Sequence, residues 1–336
     1  VRQPFKITRL LLSLGLVLLG VAALGGPAAD ARTATPARTA TPTPDPKAPV
    51  FTTIGPDDPV LPTVSARARE IYALGRKLGN NPRAFSKIGD CNSALPLFLA
   101  NFDNPESYRL GPYAYLQPVL DHFKGSFVHD SVAARDGFST SSLFAVIQND
   151  PARCLASESP LNCELRLQRP SFAFIGLGTN GNWQTDEAFE RGLRRILDHT
   201  IQRGVVPILS TKADDMEGGA RFNFIIARLA REYDVPLWNF WKAASALPDF
   251  GLDRTYHLSW ARPYFDDPKT LQTGWGMRNL TALQALDVVW RGVTGQPPAQ
   301  PTLTPTPTPT LRPGAASSPT PTATRPARPR PALEGR

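Results

Sequence analysis

Two apolar runs, SFAFIGLG at residues 171–178 and GVVPILST at 204–211, frame the segment DEAFERGLRRILDHTIQRG at 186–204. Runs that are apolar nearly throughout behave as strands covered on both faces. Between them Phe189, Leu193, Ile196, Leu197 and Ile201 fall at i, i+4, i+7, i+8 and i+12, a single stripe at helical spacing. Strand, helix and strand in that order form a crossover unit, and such units build parallel sheets with helices on both faces. Further strands are expected at 85–90, 126–134 and 235–240, and further helices at 65–79, 220–234 and 280–291. The fold class that follows is α/β: a three-layer α/β/α sandwich around a central parallel sheet, of flavodoxin-like type. In such sheets reactive groups belong at the carboxyl ends of the strands.

The flanks have a different composition. Residues 1–31 place Arg2, Lys6 and Arg9 before an apolar run from Leu10 to about Leu24 and end in small residues at Ala29-Asp30-Ala31, the layout of a secretory signal peptide. A run of about fifteen residues rises only about 22 Å, short of a hydrocarbon core of about 30 Å, so cleavage is favoured over a lasting membrane anchor. Residues 32–49 and 297–336 are Pro/Thr-rich and read as extended, disordered linker and tail. Domain organisation is therefore signal peptide at 1–31, linker at 32–49, one domain at 50–296 and tail at 297–336. The chain is expected to be secreted, touching a membrane only through the signal segment if that is retained.

Charge follows the same partition. Residues 1–49 carry six basic and two acidic side chains and 297–336 carry five Arg and one Glu, which accounts for the whole-chain charge of +8 and leaves 50–296 at zero. The basic balance belongs to the flanks, and the domain gives no reason to expect nucleic acid as a partner.

Three segments sit where strands should end: GDCNS at 89–93, GLGTNGNW at 176–183, and LDRTYHLSW at 252–260, which holds one of only four His. In this order they resemble the blocks of the SGNH (GDSL-type) hydrolases, over roughly residues 83–292. The resemblance implies an acyl-ester hydrolase or acyltransferase acting on a small-molecule or cell-envelope acyl or carbohydrate ester, without a cofactor or metal. It puts Cys91 at the nucleophile position, His257 at the base and Asn180 at the oxyanion donor. Gly137 or, in another register, Thr140 would stand at the second oxyanion position, and Gly178 belongs to the same pocket.

Departures from the family pattern are equally specific. Ser is replaced by Cys91, Arg254 stands where the orienting Asp is expected, and Asp253 lies one residue earlier; Gly181 occupies the loop Asp position. A thiol depends less than a hydroxyl on an oriented His, because its pKa starts near 8.5 and falls beside a cation or at a helix N-terminus. The substitutions are thus compatible with a Cys91–His257 pair. The competing reading is a catalytically silent domain that keeps the cleft for a carbohydrate or other ligand, with Trp183 and Trp260 stacking on a sugar.

The remaining features are read as structural. Cys154 and Cys163 are nine apart in a Ser/Pro/Asn loop and should form a disulfide in an exported chain. Gly176, Gly178 and Gly181 spell a dinucleotide fingerprint, but no helix opens at once behind them and Asp198 falls inside a helix, so dinucleotide binding is not expected. Asp214, Asp215 and Glu217 lack calcium-loop spacing and read as acids that solvate a loop.

Overall fold

A computed structural model describes residues 58–94 and 96–299. The signal segment at 1–31, the linker at 32–49 and all but the first three residues of the tail lie outside the described residues.

Four parallel strands form one sheet in the order β1 (Asn81–Gly89), β2 (Pro170–Gly176), β3 (Val206–Ser210) and β4 (Leu237–Trp238). Eight α-helices accompany them among the described residues: α1 (Ala66–Lys77), α2 (Cys91–Ala94), α3 (Gln117–His122), α4 (Pro160–Gln168), α5 (Asp186–Gln202), α6 (Arg221–Glu232), α7 (Phe240–Ser245) and α8 (Gly274–Thr294). Helices α1, α3 and α8 form one layer, with α1 packed on β2 and β3; α5 and α6 pack on each other and on β3 in the other layer, with α4 against β1. This is the three-layer α/β architecture expected from the alternation of runs. All seven residues of β2 are buried, as an interior strand covered on both faces requires.

Local chemistry sets the helix ends. Thr185 caps α5 by accepting the Ala188 N–H at 3.2 Å, and Asp186 and Glu187 sit in the first turn, where the helix dipole favours negative charge. The five residues of the α5 stripe are buried, and Phe189 stacks on Phe222 of α6 with ring centroids 3.9 Å apart.

Residues 126–134 are not a strand, contrary to the sequence expectation. Their one β-bridge to β1 among the described residues is the parallel one of Ala134 with Gly89. Side chains take the groups that a ladder would have paired: Ser126 Oγ accepts the Phe85 N–H at 3.3 Å, and the fully buried Glu164 accepts Ser86 Oγ–H at 2.5 Å and the Val132 N–H at 3.0 Å, with His129 Nε2 2.9 Å away. A buried carboxylate must collect donors, and the Val132 N–H that Glu164 takes is no longer open to sheet pairing.

Cys154 and Cys163 form the expected disulfide, a closure that contributes on the order of 2 to 3 kcal/mol for a loop this short. Among the described residues no helix is long and apolar enough to cross a membrane.

Candidate active site

The turn after β1 carries the first block. Gly89 lies so close to β2 that a Cβ there would collide with Gly176 O, so the strand end admits no side chain. Asp90 is buried and ties the turn together. Its Oδ1 accepts the Asn92 N–H at 3.2 Å, and its Oδ2 accepts the Thr179 N–H at 3.0 Å from the loop after β2. The first two blocks are thereby locked side by side, which puts Cys91 beside Asn180.

Asn180 Oδ1 accepts the Cys91 N–H at 3.2 Å and the Gly137 N–H at 3.1 Å. Two backbone donors from separate loops converge on one oxygen, the arrangement that holds an oxyanion. Gly137 has φ +82° and nothing within 4 Å of a Cβ built on it, so its backbone conformation rather than its size is what aims the N–H. Thr140, the alternative for this position, is buried elsewhere, its Oγ1 hydrogen-bonded to the Gln184 amide. Gly178 makes room for the Lys212 stem, whose Cδ and Cε would lie 3.2 Å from a Cβ at that position.

The third block holds the histidine. His257 Nδ1 lies 2.9 Å from Thr255 Oγ1, and that hydroxyl is 2.6 Å from Asp253 Oδ1. The Thr255 hydroxyl has one proton and donates it to the carboxylate, which can only accept. Its lone pairs are then left for the His257 backbone N–H at 3.2 Å and for Nδ1–H. The proton of neutral His257 therefore sits on Nδ1, and Nε2 carries the free lone pair that a general base needs. Asp253 is exposed, and the Thr255 hydroxyl followed by the Thr255 N–H holds its carboxyl below the usual range. Sequence reasoning named Asp253 and His257 but not Thr255; the Thr-x-His spacing, which lets a hydroxyl reach its neighbour's ring, was the available signal.

Beneath these loops lies a charged network. Lys212 Nζ donates to Asp214 Oδ1 at 2.7 Å and to Glu217 Oε2 at 2.5 Å, with all three residues buried. Asp214 and Glu217 are thus buried ion-pair partners and not the solvating acids expected from the sequence; Asp215 alone is exposed, accepting the Ala220 and Gly219 N–H groups. Thr179 Oγ1 donates to Asp214 Oδ2 at 2.7 Å, which joins this network to the Asp90 turn. Arg278 of α8 is buried with its guanidinium 4.8 Å from the ring centres of both Phe98 and Trp238. Burial, then repulsion from Asp214, pushes Asp90 up to about 6, while burial lowers Arg278 to about 10.

Cys91 is 3 % exposed and heads α2, a helix of one turn. Burial, followed by the neighbouring Asp90 and Asp136 carboxylates, pushes its thiol up to about 12. Desolvation and like charge outweigh any help from so short a helix. Among the described residues no hydrogen bond joins Cys91 to His257. The resting thiol is therefore protonated at neutral pH. Its alkylation by iodoacetamide should climb continuously from about pH 8 to about pH 11 without levelling; a plateau below about pH 9 would mean that the thiolate is stabilised in the free protein. A folded pKa above the unfolded value of about 8.5 favours folding fully below that pH, and the contribution is lost as pH rises toward 12.

No family model matches the chain, and no curated protein does. Among solved structures it is similar to a protein described as lipolytic, of the G-D-S-L family, from Desulfitobacterium hafniense DCB-2. Identity is 15 % and the TM-score 0.36, over 60 % of this chain and 99 % of that one. It is also similar to a GDSL-like lipase structure from Parabacteroides merdae ATCC 43184, with 15 % identity and a TM-score of 0.35, over 63 % of this chain and 95 % of that one.

Proposed function

We propose that this chain is an exported acyl-ester hydrolase or acyltransferase of SGNH type, with Cys91 as nucleophile and His257 as base. The observation that carries the proposal is the convergence of the Cys91 and Gly137 N–H groups on the Asn180 amide. Two donors meeting beside a candidate nucleophile are what the tetrahedral intermediate of acyl transfer requires. The His257 tautomer, with its lone pair on Nε2, supports the same reading, and the Cys154–Cys163 disulfide supports export to an oxidising compartment.

In this mechanism the ester carbonyl oxygen displaces Asn180 Oδ1 from the two N–H groups, and rotation of the amide brings Nδ2 in as a third donor. His257 Nε2 takes the thiol proton as Sγ attacks the carbonyl carbon. The intermediate collapses, the C–O bond breaks, and the leaving alcohol takes the proton from His257. Water, deprotonated by the same nitrogen, then cleaves the Cys91 thioester and releases the acid; an acceptor alcohol in its place completes an acyl transfer.

The high thiol pKa favours a second reading, a silent SGNH-like domain that binds an extracellular carbohydrate or other ligand. Intact-mass measurement after incubation with 4-nitrophenyl acetate separates the two. The enzyme reading expects an acetyl adduct that maps to Cys91 and disappears in Cys91→Ala, with turnover lost in His257→Ala. No adduct and no turnover at any pH between about 6 and 10 would leave the binding reading in place.

A further inference from the structure

The segments that carry Cys91 and His257 both run on into one open cleft of about 370 Å³, which Leu97 and Trp260 help to line. Trp260 is three residues past His257, so their Cα atoms lie within about 11 Å of each other. Trp260 is 62 % exposed, an unusual state for a residue that burial would favour by a large area. The backbone beneath it is pinned. Ser259 N–H and Oγ–H both donate to Gly251 O, at 2.8 and 3.0 Å, and Ser259 O accepts the Trp275 N–H at 3.1 Å. On the far side Arg109 N–H donates to Pro263 O at 3.0 Å, and Phe265 N–H donates to Arg109 O at 2.7 Å. The indole is therefore presented by a rigid loop.

Around it stand Tyr264, Asn101, Glu106, Ser107 and Arg262. One face of Tyr264 is covered by the Arg109 guanidinium, 3.9 Å from the ring centre, so this ring acts as a wall while Trp260 remains an open platform. Among the described residues, no side-chain polar atom of Asn101, Glu106, Ser107, Arg262 or Trp260 hydrogen-bonds the protein. The cleft thus offers a flat apolar face ringed by free donors and acceptors, with one acid and one base that leave it without net charge. An anionic group finds no excess of positive charge here, and a purely apolar chain would strand the polar rim. A sugar ring suits both, since its C–H face lies on an indole while its hydroxyls project outward to the rim.

We infer that this cleft is a carbohydrate subsite, holding a neutral pyranose of an esterified glycan with Trp260 as its stacking platform. The inference rests on the proposed acyl-transfer reading for the ester, but not for the sugar. It is tested on the full chain carrying Cys91→Ala, so that binding is measured without turnover. The probes are tetramers of N-acetylglucosamine and of xylose, followed by quenching of tryptophan fluorescence and by the indole N–H resonances. At least one probe should bind saturably and shift the Trp260 indole resonance. Added Trp260→Ala should weaken it about tenfold, at the upper end for an aromatic contact, while added Trp183→Ala leaves the affinity within about twofold.

Absence of a Trp260 shift with either probe at millimolar concentration overturns the inference, even if small esters are turned over. So does a response that follows Trp183, or sedimentation showing a dimer that Trp260→Ala dissociates. Sugar binding at Trp260 in a protein that forms no acyl adduct would sustain the subsite and remove only the catalytic proposal.

Discussion

Lys212→Met should destabilise the fold by about 3 to 5 kcal/mol, the usual cost of removing one partner from a buried ion pair. Methionine matches the length and apolar stem of lysine, so packing beside Gly178 is kept and the lost charge is isolated. What remains is two buried carboxylates, Asp214 and Glu217, each deprived of its Nζ donor at 2.7 and 2.5 Å. Asp214 still accepts from Thr179 Oγ1 and from the Met216 N–H at 3.4 Å, and Glu217 Oε1 from the Phe222 N–H at 3.2 Å, but these neutral donors do not offset two buried negative charges. Urea unfolding at neutral pH measures the effect. Combining Lys212→Met with Asp214→Leu and Glu217→Leu should recover part of the loss, because replacing a whole buried network by apolar groups is often nearly neutral. A loss under about 1 kcal/mol for Lys212→Met would show that the network is solvated in solution.

The architecture was legible because it depends on periodicity. The α5 stripe and the buried runs of β2 and β3 need no knowledge of distant contacts to be read. The failed strand at 126–134 had the composition of a strand, but its backbone is engaged by side chains distant in sequence: Glu164 accepts the Val132 N–H and Lys87 Nζ donates to Phe127 O. The same limit applies at Asp214 and Glu217. Their spacing excludes a calcium loop, yet whether an acid is solvated or buried depends on what packs above it, here Lys212 from the end of β3. Motif order brought Cys91, Asn180 and Gly137 to one place because Asp90 and Thr179 lock the two loops together. The thiol's high pKa was only partly readable: burial, its largest cause, and Asp136 and Asp214 depend on packing, while Asp90 stands in the motif itself.

Thr255→Val should lower kcat/KM for small esters about a hundredfold, within the range that a positioned proton-transfer group supplies. Valine keeps the shape of threonine and removes the single hydroxyl that links Asp253 to His257. Without it nothing holds the ring proton on Nδ1, and the tautomer with the proton on Nε2 becomes populated, which cannot accept a proton from the thiol. On the proposed acyl-transfer reading Thr255 is a positioning residue, which would stand in for the carboxylate that the family pattern has at the position of Arg254. Two readouts separate this from a general loosening of the loop. Nitrogen NMR of His257 should show Nδ1–H in wild type and a mixture of tautomers in the variant. The Asp253 titration should move back up toward the ordinary carboxylate range, because the Thr255 hydroxyl is the largest influence holding it down. Thr255→Ser restores the hydroxyl and should recover activity to within a few-fold, together with the Nδ1–H signature. A valine variant of unchanged activity and unchanged tautomer would mean that His257 is oriented by the backbone alone; a serine variant as slow as valine would assign the effect to packing of the lost methyl group.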